Sequence, residues 1–192
     1  LPWQYSHPLD ATAESAKGRR KGMKTVLISI RPKWCEKIIS GEKTIEVRKT
    51  RPKMDMPFKC YIFRSVQGGV IGEFVCDDIF ERIVRVEASC EPPKYCICDW
   101  NMDCTPLDTL LADACLTKDE LEKYLDGGVG YGWHISNLKI YDTPRKLSEF
   151  KGLCKVESDC CACPYYNYSK MDCDGRTIKR PPQSWRYVED QI

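Results

Sequence analysis

The sequence predicts an α+β fold: a small mixed β pseudo-barrel with short helices and a cysteine-rich C-terminal insert. Three observations point there. Short runs rich in β-branched residues alternate with glycine and proline turn signals, as in sheets built from many short strands. One helical stretch falls between the first two strands and a helical pair comes later, which suits a curled mixed sheet. Neither a βαβαβ series nor a GxGxxG or GxxxxGK[ST] loop is present, so nucleotide-binding doubly wound folds are disfavoured.

Val26 to Ile30 is an apolar β-branched run and reads as a buried strand. Pro32 opens a helix over 33–40, since its missing N–H would be unpaired there anyway. Trp34, Cys35, Ile38 and Ile39 share one face of it, and Gly41 is a suitable stop. A second strand spans about 44–49. Alternation sends Ile45 and Val47 into the core and Thr44, Glu46 and Arg48 the other way. Residues 51–57 are a loop and 59–63 a third strand. Gly68 and Gly69 turn the chain into a fourth strand over 70–78, with a continuation through Ile83 and Val84. Residues 88–106 read as irregular. Helical stretches follow at 107–115 and 117–125, the second opened by a capping box of Thr117 and Glu120. Gly127 and Gly128 close that pair. Residues 129–141 read as one long strand with Tyr131, Trp133 and Ile135 on one face. Leu147 to Phe150 make a single helical turn, and 178–189 form a closing segment.

The chain of 192 residues is 42% hydrophobic, ample for one domain with a real core. No apolar run nears the roughly 18 residues that cross a bilayer, and the N-terminus lacks a secretory layout, so a cytoplasmic location is expected. Residues 1–22 are polar and aperiodic and precede Met23. They read as a non-domain extension, with 23–192 the domain, 154–175 its cysteine-rich insert, and Met23 the natural start. An intact native mass that includes Leu1 would contradict that start. From residue 23 onward, basic and acidic side chains balance at 26 each, so a generic polyanion binder of the strongly basic kind is excluded. The balance is uneven, however. Residues 31–64 carry ten Lys/Arg against four Asp/Glu, a local cationic stretch of the kind that meets phosphate.

Within that stretch lies Gly41-Glu42-Lys43-Thr44-Ile45-Glu46-Val47-Arg48, a G-x-K-x-x-E-x-R pattern. Glu46 and Arg48, two apart on a strand, share a face, and Lys43 enters from the preceding turn. Arg48 can make bidentate contacts to phosphate or a base edge. Glu46 can accept from an exocyclic amino group, and the alternative is a Glu46–Arg48 or Glu46–Lys43 ion pair on a solvated face.

This octapeptide, the strand–helix LISIRPKWCEKIISG before it and the C-terminal KRPPQSWRYVE resemble the ASCH domain family, a branch of the PUA-like superfamily, in its bacterial or phage form. The resemblance implies a PUA-like pseudo-barrel that binds RNA or a nucleotide-like ligand, with Lys43, Glu46, Arg48, Arg31 and Trp34 lining its cleft; the sequence leaves the oligomeric state open, with a monomer expected. Trp34 and Trp185 are expected at the surface, unlike Tyr61, Tyr131 and Trp133. Some small ASCH-like proteins also resemble amidohydrolases that deacetylate N4-acetylcytidine with the motif lysine and a threonine. Lys43 matches the lysine, but Glu46 stands where the threonine is wanted, so an enzyme would rest on Lys43 and Glu46. His134, on the long strand, faces the side of Gly132 and Ser136 and can either enter the cleft or serve the structure.

Thirteen cysteines without a secretory signal argue against a disulfide framework. Cys90, Cys96, Cys98 and Cys104 form one cluster. Cys154, Cys160, Cys163 and Cys173 form a candidate structural zinc set around one C-x2-C pair. A third reading of function follows, a metal-stabilised interaction module. Metal analysis after reducing purification tests the set, and a substoichiometric zinc content would contradict it.

Overall fold

A computed structural model describes residues 24–86, 94–98, 104–105, 107–153, 166–167, 169, 172–173 and 176–190. Two five-stranded sheets carry the fold. The first has the order β12-β1-β3-β4-β9, built from β1 (Lys24–Ile30), β3 (Phe58–Arg64), β4 (Val70–Cys76), β9 (Ser136–Arg145) and β12 (Trp185–Glu189). The second has the order β2-β8-β5-β6-β7, built from β2 (Ile45–Arg48), β5 (Ile79–Val86), β6 (Lys94–Cys98), β7 (Cys104–Thr105) and β8 (Gly130–His134). Only β1 and β3 run parallel, joined by a crossover through α1 (Pro32–Ile39) and β2; the other described pairs are antiparallel. A two-residue pair, β10 (Tyr166–Asn167) with β11 (Asp172–Cys173), stands apart.

Besides the crossover into and out of β2, the chain passes between the sheets at two neighbouring places, and this curls them into a pseudo-barrel. One passage is Asp77-Asp78, between β4 and β5, and the other is Ile135, between β8 and β9. The passages are tied together, since the His134 N–H donates to the Asp78 carbonyl at 3.0 Å. The sequence reads 70–84 and 129–141 each as one strand; each is two strands in different sheets. Periodicity alone does not reveal such a change: the apolar pattern runs on through Ile135 and resumes directly after Asp77-Asp78. Residues 88–106, read as irregular, contain β6 and β7.

β1 explains its own composition. Val26, Ile28 and Ile30 pack between the sheets with Cys60, Ile62, Phe74 and Trp133. On its other face Leu27 packs with Tyr61, Phe150 and Val188. A strand covered on both faces reads as a continuous apolar run. In α1, Cys35 and Ile38 are buried while Ile39 is 46% exposed, so the buried stripe is narrower than its spacing suggests. Gly41 follows at φ +78°, the left-handed stop expected of glycine.

α2 (Asp108–Asp113) and α3 (Lys118–Leu125) form the helical pair. Leu110, Ala114, Leu121 and Leu125 close over Ile45, Val47 and Ile83 in a second core. The Thr117–Glu120 capping box is present. Gly132 lets this layer close, since a Cβ there would lie 3.1 Å from Ile45 Cγ2 and 3.2 Å from Leu110 Cδ1. No helix among the described residues is long and apolar enough to cross a membrane.

Candidate functional site

β2 positions the motif. It pairs along one edge with β8, Glu46 opposite Trp133 and Arg48 opposite Tyr131. Just before it, the Thr44 N–H donates to the carbonyl of Asp113, the last residue of α2, at 2.8 Å. Ile45 and Val47 enter the second core, and Glu46 and Arg48 point the other way, as alternation requires.

That other face is not solvated. Lys43, Glu46 and Arg48 are 3%, 6% and 7% exposed. Glu46 bridges the two cations, with Oε2 3.3 Å from Lys43 Nζ and Oε1 2.9 Å from Arg48 Nη2. Lys43 also donates to the Ala114 carbonyl at 2.7 Å. Arg48 Nη2 donates to the Ser29 carbonyl at 2.6 Å, and Nη1 reaches Ser184 Oγ at 3.4 Å. Arg48 Nε is buried with no hydrogen-bond partner among the described residues. Each Glu46 carboxylate oxygen is therefore already engaged by one cation of the protein. One carboxylate between two cations leaves the group with a net positive charge, held where screening is weak.

The triad forms the floor of a cleft of about 900 Å³, toward the upper end of the range for small-ligand sites. Trp34, Phe63 and Tyr124 contribute aromatic wall, and Pro181 to Ser184 line another side. Arg31, Lys49 and Lys123 are exposed at its rim. The lining holds five cationic side chains and two carboxylates. One of these, Glu120, is engaged by Lys33 at 3.1 Å and by its own cap. The Trp34 ring lies 4.3 Å from Lys33 Nζ and 5.2 Å from Lys43 Nζ. Burial pushes the Tyr124 phenol above its ordinary value; Arg48 opposes that shift and Glu46 adds to it. Beside Trp34, burial and then the Glu46 charge push the Cys35 thiol up to about 12.

The structure thus brings Lys43, Glu46, Arg48, Arg31 and Trp34 to one cleft. Other sequence-level candidates lie elsewhere. His134 meets Asp77 at 2.7 Å and does not line the cleft. Trp185 is half-buried against Trp133 and Tyr187 and donates to Thr50 Oγ1 at 3.0 Å. Tyr131 is also half-buried, not core. Cys154, Cys160 and Cys163, with the Cys173 side chain, lie outside what the structure describes; among the described residues no group of three or more His, Cys, Asp or Glu could hold a metal.

Sequence reasoning missed Ser29, Ser184, Lys123 and Tyr124. Ser184 had a signal, since it sits in the PPQSW element. That element is clamped onto the end of β1: the Ser29 N–H donates to the Ser184 carbonyl at 2.9 Å and Ser29 Oγ to the Pro182 carbonyl at 2.6 Å. Lys123 and Tyr124 arrive on α3, 80 residues from the motif, and nothing local marks them.

The ASCH domain family matches residues 28–136, more than half of the chain, and the chain belongs to that family. Its fold is similar to the crystal structure of ASCH from Zymomonas mobilis, with 16% sequence identity, 86% of this chain and 87% of that chain covered, and a TM-score of 0.53. A serine-to-alanine variant of that protein gives 17% identity, 86% and 88% coverage, and a TM-score of 0.51. No curated protein matches the chain by sequence.

Proposed function

We propose that this chain binds RNA or a nucleotide-like ligand in the cleft above Lys43, Glu46 and Arg48. The observation that carries this reading is the buried, net-positive triad beneath an aromatic-walled cleft with Arg31, Lys49 and Lys123 at its rim. A base has Trp34 and Tyr124 to stack against. A phosphate has the rim cations, which stay solvated until it arrives and release counterions when it binds. The triad acts as a fixed electrostatic floor, and the rim supplies the mobile contacts.

Arg31→Glu and Lys123→Glu test this. Both side chains are exposed, so each reversal is expected to leave thermal stability nearly unchanged. In fluorescence anisotropy with short single-stranded RNA, each is expected to weaken binding by about tenfold at low salt, with a shallower salt dependence. Wild-type affinity in both variants would contradict the reading.

Hydrolysis of N4-acetylcytidine-type nucleosides is the alternative implied by the family resemblance. The geometry favours binding over it, because Lys43 directs its protons at Glu46 and the Ala114 carbonyl. Held by these two contacts, Lys43 Nζ is directed into the protein and not presented to a ligand as base or nucleophile. Release of acetate from N4-acetylcytidine by the wild-type protein, lost in Lys43→Met, would reinstate hydrolysis.

A further inference from the structure

Beside the cleft lies a second recess of about 430 Å³, lined by Lys49, Thr50, Arg51, Lys53 and Tyr131. Two features connect it to the cleft, and two more describe its own surface. Lys49 lines both recesses, so they adjoin at one cation. Three of its five lining residues are cationic and none is acidic. Lys49, Thr50, Arg51 and Lys53 are exposed, while Tyr131 is half-buried and presents an aromatic surface beneath them. Lys49 Nζ also lies 5.5 Å from the centre of the Tyr124 ring, in the cleft wall. A single nucleoside has room in the one cleft and no use for a second cationic recess beside it. A nucleic acid strand does, because each added nucleotide brings another phosphate and another base face.

We infer that the cleft and the Lys49–Lys53 recess form one track for single-stranded RNA, with one nucleotide in the cleft and its neighbour's phosphate and base over Lys53 and Tyr131. Lys49 stands between the two positions and contacts the linking phosphate. This inference rests on the nucleotide-binding reading above and adds that the ligand is a strand of at least two nucleotides. Single strands are favoured over duplex because both recesses offer aromatic faces, which only unstacked bases can use.

The test compares the four nucleoside monophosphates with mixed-sequence RNA oligomers of two to about eight nucleotides, the scale of a small single-strand site. Wild-type protein, Lys53→Ala and Lys53→Glu are titrated over a range of salt. The Lys53 side chain is exposed and outside the cleft lining, so both variants are expected to fold and to bind monophosphates as wild type does. Wild type is expected to bind an oligomer at least about tenfold tighter than a monophosphate, as one stacked base and one phosphate contact allow. Lys53→Ala should lose most of that gain and lower the salt slope by about 0.7, and Lys53→Glu should abolish the gain. Oligomers bound no tighter than monophosphates, or a gain that survives Lys53→Glu, would overturn the track and leave the cleft reading standing. Binding of neither probe would overturn both.

Discussion

Replacing Glu46 by glutamine removes the one carboxylate between two buried cations. The side chains of Lys43, Glu46 and Arg48 are only 2%, 8% and 9% exposed, so water cannot take over the lost role. Breaking a buried ion pair from one side costs roughly 3–5 kcal/mol, because a charge is left uncompensated. Here two pairs are lost together and the cations then face each other. Glutamine keeps one acceptor oxygen for Arg48 or Lys43, which argues for the lower end, about 3 kcal/mol. Against a total stability of about 5–15 kcal/mol this is a large share, and in a domain of this size it lowers the melting temperature by roughly 6–12 °C. Thermal unfolding followed by circular dichroism measures it. Glu42→Gln is the control: it removes an exposed pair with Lys37 and should move the melting temperature very little. A second reading separates roles, since a counter-ion Glu46 leaves the folded variant binding RNA at least as tightly as wild type, whereas a ligand-contacting Glu46 weakens it. A fall of less than about 2 °C, no larger than that of the control, would refute the claim that Glu46 holds the cleft floor together.

Three more outcomes are expected. Burial, ahead of any other cause, pushes the Cys35 and Cys76 thiols from 9.0 up to about 12 and raises Cys60 as well. Unfolded thiols therefore lose their protons near pH 9 while native ones keep them. Between about pH 9 and 12 the unfolded state binds fewer protons, so stability falls as pH rises; urea midpoints at about pH 8 and pH 10.5 should differ in that direction, and equal midpoints would contradict it. Thr117→Ala removes the side chain that caps α3 and should cost about 1 kcal/mol by thermal unfolding. Because α3 carries Lys123 and Tyr124 to the cleft, RNA affinity should fall with it, and an unchanged melting temperature would argue against the cap. In Gly72→Ala the new methyl group runs into the Lys139 carbonyl oxygen and lies 3.0 Å from Ile140 Cδ1. One of these obstacles is backbone in the paired strand β9, so a loss of about 1–3 kcal/mol or more is expected in urea unfolding, and wild-type stability would show that the β4–β9 contact is looser than described.

Much of the site was legible in the sequence because strand alternation is rigid. Knowing that 45–48 is a strand is enough to separate Ile45 and Val47 from Glu46 and Arg48, and to place Lys43 within reach. Burial was not legible. The sequence leaves open whether the ion pairs lie on a solvated face, and it cannot show that the PPQS segment returns from the far end of the chain to cap Arg48. The helical pair was readable from Thr117, Glu120 and the glycines that follow, but its position over β2 was not, because packing partners distant in sequence leave no local trace. Trp185 illustrates the opposite error. Its proline-rich approach suggests exposure, yet its ring is held between Trp133 and Tyr187. The split of 70–84 and 129–141 into strands of two sheets depends on bends at Asp77-Asp78 and Ile135, and of these only the acidic pair interrupts the apolar pattern at all.

The proposed RNA site lies over the Lys43–Glu46–Arg48 floor between the aromatic walls. Photo-crosslinking with 4-thiouridine-substituted single-stranded RNA, followed by peptide mass spectrometry, tests it most directly. Adducts are expected on Trp34 or Tyr124, reduced in Arg31→Glu and Lys123→Glu. Efficient crosslinks confined to peptides that contribute nothing to the cleft or the adjoining recess would contradict it.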